Sequence, residues 1–268
     1  MYTTGQPTIP DQLRRTGSPI IRVLFRIQGR FGGSRIHLDE SSSPLPNDSR
    51  PIIFAANHTN GEDIPRVAIA LDRHFYVVIA SDPPLDRFSK LVCNTYGSIW
   101  LDRRNNELAK ATRIAAQRLA VDKLRAGLDV VIFPEAVWNT RLTWIDGKPM
   151  LPFYRGVVSI AQSADAHIVP IILEYTADKT CHVNIGPSFD YEPFGDDSIT
   201  ATNALREVMA STKLALRERL TPISEEEFVS MRTKWRATSL IDWDPNSEVC
   251  FVQGYKRNPE TIREWFLV

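Results

Sequence analysis

No window of this 268-residue chain offers the roughly 18 uninterrupted apolar residues a membrane-crossing helix needs, and the opening "MYTTGQPTIPDQLRRTG" lacks the apolar core of a secretory signal. A cytoplasmic protein is the expectation. Charge of one sign is lacking too: Lys plus Arg and Asp plus Glu number 32 each, so no bulk field recruits nucleic acid or an anionic surface. The three cysteines, Cys93, Cys181 and Cys250, are odd in number and far apart, which fits neither a zinc pattern nor a disulfide framework. They read as buried thiols in a reducing compartment. Five scattered histidines form no metal set, and with no Walker-type or paired-glycine phosphate loop a nucleotide cofactor is not expected. A G-x-S-x-G nucleophile elbow is missing as well.

What is present from Pro51 onward is an alternation of short apolar runs with helical periodicity, the pattern of strand–helix–strand units. Strands are expected at 51–56, 75–80, 98–101, 128–133, 168–174 and 181–186, and helices near 63–73, 86–95, 106–126, 153–164 and 200–220. The fold class is therefore α/β, a mostly parallel central sheet flanked by helices. Residues 18–31, "SPIIRVLFRIQGRF", place Arg22, Arg26 and Arg30 at i, i+4 and i+8 beside an apolar face, predicting an amphipathic helix suited either to an anionic bilayer or to docking on the protein with solvated arginines. Residues 222–268 hold three of the six tryptophans and an acidic patch at Glu225–Glu227, and read as a C-terminal helical appendage. The expected organisation is an N-terminal segment over 1–48, an α/β domain over 49–220 and an extension over 221–268.

Chemistry gathers where strands end. "NHTNGED" (57–63) follows the apolar run "PIIFAA", and a loop turning there can bring the Asp63 carboxylate onto His58. An aspartate on one ring nitrogen fixes the tautomer and leaves the other nitrogen to take a proton. Asp63 also reads as a candidate N-cap for the helix that begins "IPRVAIAL". "YGSIWLDRR" ends the next such strand with Asp102, Arg103 and Arg104, whose guanidinium groups suit phosphate. "VVIFPEAVWNTR" ends a third with Pro134 and Glu135, where Glu135 would hold a hydroxyl or an amine, and "IVPI" lies in a fourth. Taken singly, each is as readily a cap or a surface charge. Together they mark one edge of an open α/β sheet, where ligands bind.

Over about residues 51–175 these four ordered blocks resemble the glycerolipid acyltransferase family that includes lysophosphatidate acyltransferases: His58 and Asp63 match its H-x-x-x-x-D motif, "GSIWLDR" its second block, "FPEAVWNTR" its F-P-E-G-T-R block and "IVPI" its fourth. The resemblance implies transfer of a fatty acyl group from acyl-CoA or acyl carrier protein, as co-substrate, to the hydroxyl of a glycerolipid acceptor such as lysophosphatidate, with no resident cofactor. His58 would be the base, Asp63 its orienting partner, Arg103 a ligand of the acceptor's phosphate, and Glu135 would help place the acceptor. Family enzymes act on membrane-associated substrates, so peripheral attachment of 18–31 to the inner face of the membrane is expected. The third block departs from the pattern: Ala136, Val137 and Trp138 stand where Gly-Thr-Arg is usual, with Arg141 three places late. Either Arg104 or Arg141 replaces the missing clamp, or Trp138 walls a pocket for a neutral alcohol or amine. A non-catalytic lipid- or acyl-carrier-binding protein and a hydrolase of the same fold are the other readings.

Overall fold

The computed structural model describes residues 10–31, 35–59, 61–81, 87–102, 107–136, 150–176, 178 and 180–220. Numbered in chain order, its strands are β1 (Arg35–Leu38), β2 (Ile52–Ala56), β3 (Phe75–Ala80), β4 (Ser98–Leu101), β5 (Asp129–Ile132), β6 (His167–Tyr175) and β7 (Thr180–Ile185). Six of them fall within a residue of the runs expected from the sequence. The seventh, β1, had no such signal, because three of its four residues are exposed and it shows no apolar run.

The strands form one sheet in the order β1-β7-β6-β2-β5-β3-β4. The block β6-β2-β5-β3-β4 is parallel throughout. β7 runs antiparallel to β6, and β1 joins β7 in parallel, so the sheet is mostly parallel with a reversed pair at one margin. β2 sits between β6 and β5 and is buried at every position, as a continuous apolar strand covered on both faces should be.

Helices α4 (Glu107–Arg125), α5 (Gly156–Ala164) and α6 (Ser198–Arg219) cover the face that carries Ile53, Ala55, Val130 and Ile168. On the other face, Phe54, Val131, Val169 and Leu173 pack with Val67 and Leu71 of α2 (Asp63–Leu71), Tyr96 of α3 (Arg87–Tyr96) and Phe25 of α1 (Asp11–Phe31). Alternate residues of each strand thus feed two cores, the period-2 rule of a two-sided sheet. Residues 221–268, where the appendage was expected, lie outside the described residues.

The amphipathic segment is longer than its sequence signature. α1 begins at Asp11 and runs through Pro19. Its orientation also differs from the solvated-arginine picture. Arg14, Ser18, Arg22 and Phe25 recur at helical spacing and are buried against the protein, whereas Leu13, Ile20, Val23, Leu24 and Ile27 are exposed. Arg22 is only 9% exposed. Its Nε stands 3.2 Å from Asp72 at the end of α2, and Arg26 reaches the same carboxylate at 3.3 Å. Arg22 and Arg26 of the basic stripe therefore hold α1 to α2, and the apolar side chains Ile20, Val23, Leu24 and Ile27 look outward.

Candidate active site

The loop after β2 is fixed to its neighbours before any reactive side chain appears. Asn57 continues the ladder by main chain and side chain together: its N–H donates to the Ile171 carbonyl at 3.3 Å, its Nδ2 donates to the Leu173 carbonyl at 3.1 Å, and its Oδ1 accepts from the Leu173 N–H at 2.6 Å. The carboxamide donates from one atom and accepts at another, as a strand neighbour's peptide group would. His58 thus leaves the sheet from a defined point.

His58 Nδ1 lies 2.8 Å from Asp63 Oδ2. Asp63 is fully buried at the first residue of α2, and its carboxylate is surrounded by donors. Oδ2 also accepts from the Thr59 N–H at 2.5 Å, while Oδ1 accepts from the Thr59 hydroxyl at 3.0 Å and the Tyr175 hydroxyl at 2.6 Å. Asp63 does not cap α2, as one sequence reading had it. Glu62 occupies the N-cap position with its carboxylate on Arg66 rather than capping the helix, and the Asp63 carboxylate turns back onto the preceding loop. Burial pushes the Tyr175 phenol well up, and the adjacent Asp63 charge adds to the effect, so Tyr175 remains a donor. The Asp63 carboxylate can only accept, so the His58 proton is assigned to Nδ1, which faces it. Phe133, at the end of β5, stacks on the imidazole at a 4.2 Å centroid distance and 28°, which limits the ring's rotation.

Glu135 meets the same loop from the β5 side. Its Oε1 accepts from the His58 N–H at 3.0 Å and its Oε2 from the Leu151 N–H at 2.9 Å. The side chain is 1% exposed. Both oxygens thus accept from main-chain N–H groups of the protein, one each. Burial raises its carboxyl above the usual range, while Lys213, the two amides and His58 pull it back. The next residue, Ala136, has φ +55°, a left-handed conformation that glycine adopts without penalty and alanine does not. The departure from glycine in this block is thus felt by the backbone itself.

The structure brings His58, Asp63 and Glu135 together. Arg103, Arg104, Trp138 and Arg141 lie outside the described residues. The arginine block does start from a held position: the Asp102 N–H donates to the Thr112 hydroxyl at 3.2 Å, and its carbonyl accepts from Arg113 at 3.2 Å. Thr59 and Tyr175, which complete the setting of Asp63, carried no sequence signal, since Tyr175 is 112 residues away from its partner. Cys181, next to Tyr175 across the β6–β7 ladder, is fully buried, and burial pushes its thiol well up, so it is no nucleophile. Among the described residues no group of three or more His, Cys, Asp or Glu side chains is placed to hold a metal ion.

The Acyltransferase family model matches residues 35–174. Among curated proteins the chain is 28% identical over 134 residues to 1-acyl-sn-glycerol-3-phosphate acyltransferase alpha of Ovis aries, covering 50% of this chain and 43% of that one. It is 27% identical over 139 residues to 1-acyl-sn-glycerol-3-phosphate acyltransferase of Haemophilus influenzae, covering 50% and 54%. The chain thus spans about half the length of these relatives. Among solved structures, the 1-acyl-sn-glycerophosphate (LPA) acyltransferase of Thermotoga maritima superposes with a TM-score of 0.57 at 16% identity, over 80% of this chain and 84% of that one, a likeness of fold. The family match starts at β1 and ends in β6, and so takes in His58, Asp63 and Glu135 with the strands that carry them. Over more than half of its length the sequence fits one family model, and the chain belongs to the Acyltransferase family.

Proposed function

We propose that the protein transfers a fatty acyl group from acyl-CoA or acyl carrier protein to the hydroxyl of a glycerolipid acceptor of the lysophosphatidate type. The observation that carries this reading is the His58–Asp63 pair, 2.8 Å apart at the carboxyl end of β2 in a chain of this family. His58 Nε2 takes the acceptor's hydroxyl proton as the oxygen attacks the thioester carbonyl, and Asp63 stabilises the imidazolium that results. When the tetrahedral intermediate collapses, the same proton passes to the departing thiolate. No protein nucleophile is required, and no cofactor beyond the acyl donor takes part. The acceptor's phosphate would be held by Arg103, with Arg104 or Arg141 beside it. The decisive assay supplies labelled acyl-CoA with either lysophosphatidate or the corresponding monoacylglycerol. Preferential acylation of lysophosphatidate supports the reading, equal rates remove the phosphate clamp, and free fatty acid alone or no product overturns transfer.

The outward apolar face of α1 supports peripheral attachment to a lipid surface, at the inner face of the membrane, by insertion of Ile20, Val23, Leu24 and Ile27. Among the described residues no helix is long and apolar enough to cross a membrane. Because Arg22 and Arg26 face Asp72, binding to vesicles is expected to depend on these apolar side chains more than on salt. The Ile20→Ser/Leu24→Ser protein should bind phosphatidylcholine–phosphatidylglycerol vesicles at least tenfold more weakly, since each buried side chain contributes roughly 1.5 kcal/mol or more. Unchanged binding overturns the attachment.

A further inference from the structure

His58 and His167 each hold an aspartate at 2.8 Å, but two further histidines, far apart in sequence, meet at the margin of the sheet. His37 of β1 and His182 of β7 are direct partners in the parallel β1–β7 pairing. Partners in register project to one face of a sheet, and these two rings stand 5.1 Å apart, centroid to centroid, with their planes at 64°. Glu174 of β6 continues the row as the antiparallel partner of His182. The five histidines read from the sequence as forming no metal set; the strand order at this margin, which the sequence does not display, is what gathers these two.

Among the described residues neither ring of the pair has a carboxylate within ion-pair distance. His182 Nδ1 is buried with no hydrogen-bond partner, and His37 is exposed. The nearby carboxylates are drawn elsewhere. Glu174 faces α6, with Lys213 Nζ at 3.7 Å and Arg217 Nη1 at 3.5 Å. Asp39 accepts from Ser41 and Arg219, and Asp178 from Thr176 and Thr180. A tetrahedral ion about 2.0–2.1 Å from one nitrogen of each of two imidazoles holds the ring centroids about 5 Å apart. The observed spacing matches that distance, so neither strand has to move to receive an ion.

We propose that His37 and His182 form a two-imidazole site for a nitrogen-preferring divalent cation of the zinc or nickel class, with water completing the coordination. Imidazole suits such ions, whereas Mg²⁺ prefers oxygen ligands. The charges of Asp178, Asp39 and Glu174 favour a cation at His182, and Lys213 and Arg217 offset that of Glu174. The ion would tie β1 to β7. β1 is the edge strand, and with three of its four residues exposed it has little apolar burial to hold it in place. The site stands apart from His58 and does not depend on the acyl-transfer reading.

The experiment treats the full chain with chelator, removes the chelator, and titrates with Zn²⁺ by calorimetry, then repeats the titration with Mg²⁺. Zn²⁺ is expected to bind, with affinity reduced roughly tenfold or more in His37→Gln and in His182→Gln and unchanged in His167→Gln. Amide hydrogen exchange reports the strand itself. The Asp39 N–H donates to the Val183 carbonyl at 2.8 Å just beyond β1. Its exchange should slow with Zn²⁺ relative to Leu124 and Val130 in the wild type, and should not slow in His37→Gln. Because His37 is exposed on an edge strand, its variant carries the test even if His182→Gln does not fold. Absence of Zn²⁺ binding at millimolar concentration, equal affinity in His37→Gln, equal binding of Mg²⁺, or slowing shared equally with Leu124 and Val130 would each overturn the proposal.

Discussion

The sheet carries a histidine–aspartate pair at each end, and the two have nearly the same geometry. At the carboxyl end of β2, His58 Nδ1 is 2.8 Å from Asp63; at the amino end of β6, His167 Nε2 is 2.8 Å from Asp48. Distance does not separate them, but surroundings do. The Asp63 side chain is fully buried with both oxygens supplied by Thr59 and Tyr175, whereas that of Asp48 is 48% exposed and shares its charge with Arg50. His167 has both ring nitrogens engaged, one by Asp48 and the other by Ser188 at 3.1 Å. A base needs a nitrogen that can meet substrate, on a sheet edge that collects ligands. The first pair stands on that edge, at the carboxyl end of β2; the second ties a loop to a strand.

The comparison breaks most sharply on the histidines. His58→Ala is expected to lose turnover by on the order of 10²–10⁴-fold with the fold kept, and His167→Ala to leave it within a few fold. Comparable losses in steady-state acyl transfer would erase the distinction. Asp63→Asn should cost on the order of a hundredfold or more in kcat by presenting the wrong tautomer, while Asp48→Asn should not. Tyr175→Phe deletes one donor to the buried carboxylate, and kcat should fall roughly ten- to a hundredfold with KM for the acyl donor little changed. The smallest effect sharpens the outer pair. Hydrogen bonding from His167 holds the Asp48 carboxyl below its ordinary 3.8. Its folded-state pKa is depressed, so the stability it adds is present above about pH 4 and is lost as pH falls through the lower folded value. The thermal midpoint of Asp48→Asn should lie below that of the wild type at pH 6, and the gap should close as pH falls below 3.8.

The sequence made the strands legible because β2, β5 and β6 are buried on both faces and so read as continuous apolar runs. β1 stayed hidden because an exposed edge strand needs no such run. α1 was read short: Gly17 and Pro19 look like helix breakers, yet the helix continues through both. Which of its sides faces outward was left open by the sequence, since that depends on Asp72, 50 residues beyond Arg22. His58, Asp63 and Glu135 could be found because they stand at strand ends in a recognisable order. Tyr175 could not, because it meets Asp63 across space from another element, and in sequence it is one more strand aromatic.

The side-chain amide of Asn57 gives the loop a chemical lifetime as well as a position. It occupies the place of a strand neighbour on β6, donating to the Leu173 carbonyl and accepting from its N–H. Hydrolysis of that amide to a carboxylate would exchange a donor for an acceptor and set an anion against the Leu173 carbonyl in a site with no exposure. The loop that aims His58 would then be repelled from the strand that holds it. A single hydrolysed amide bond would therefore separate an aged molecule from a fresh one, without any change to the residues that do the chemistry.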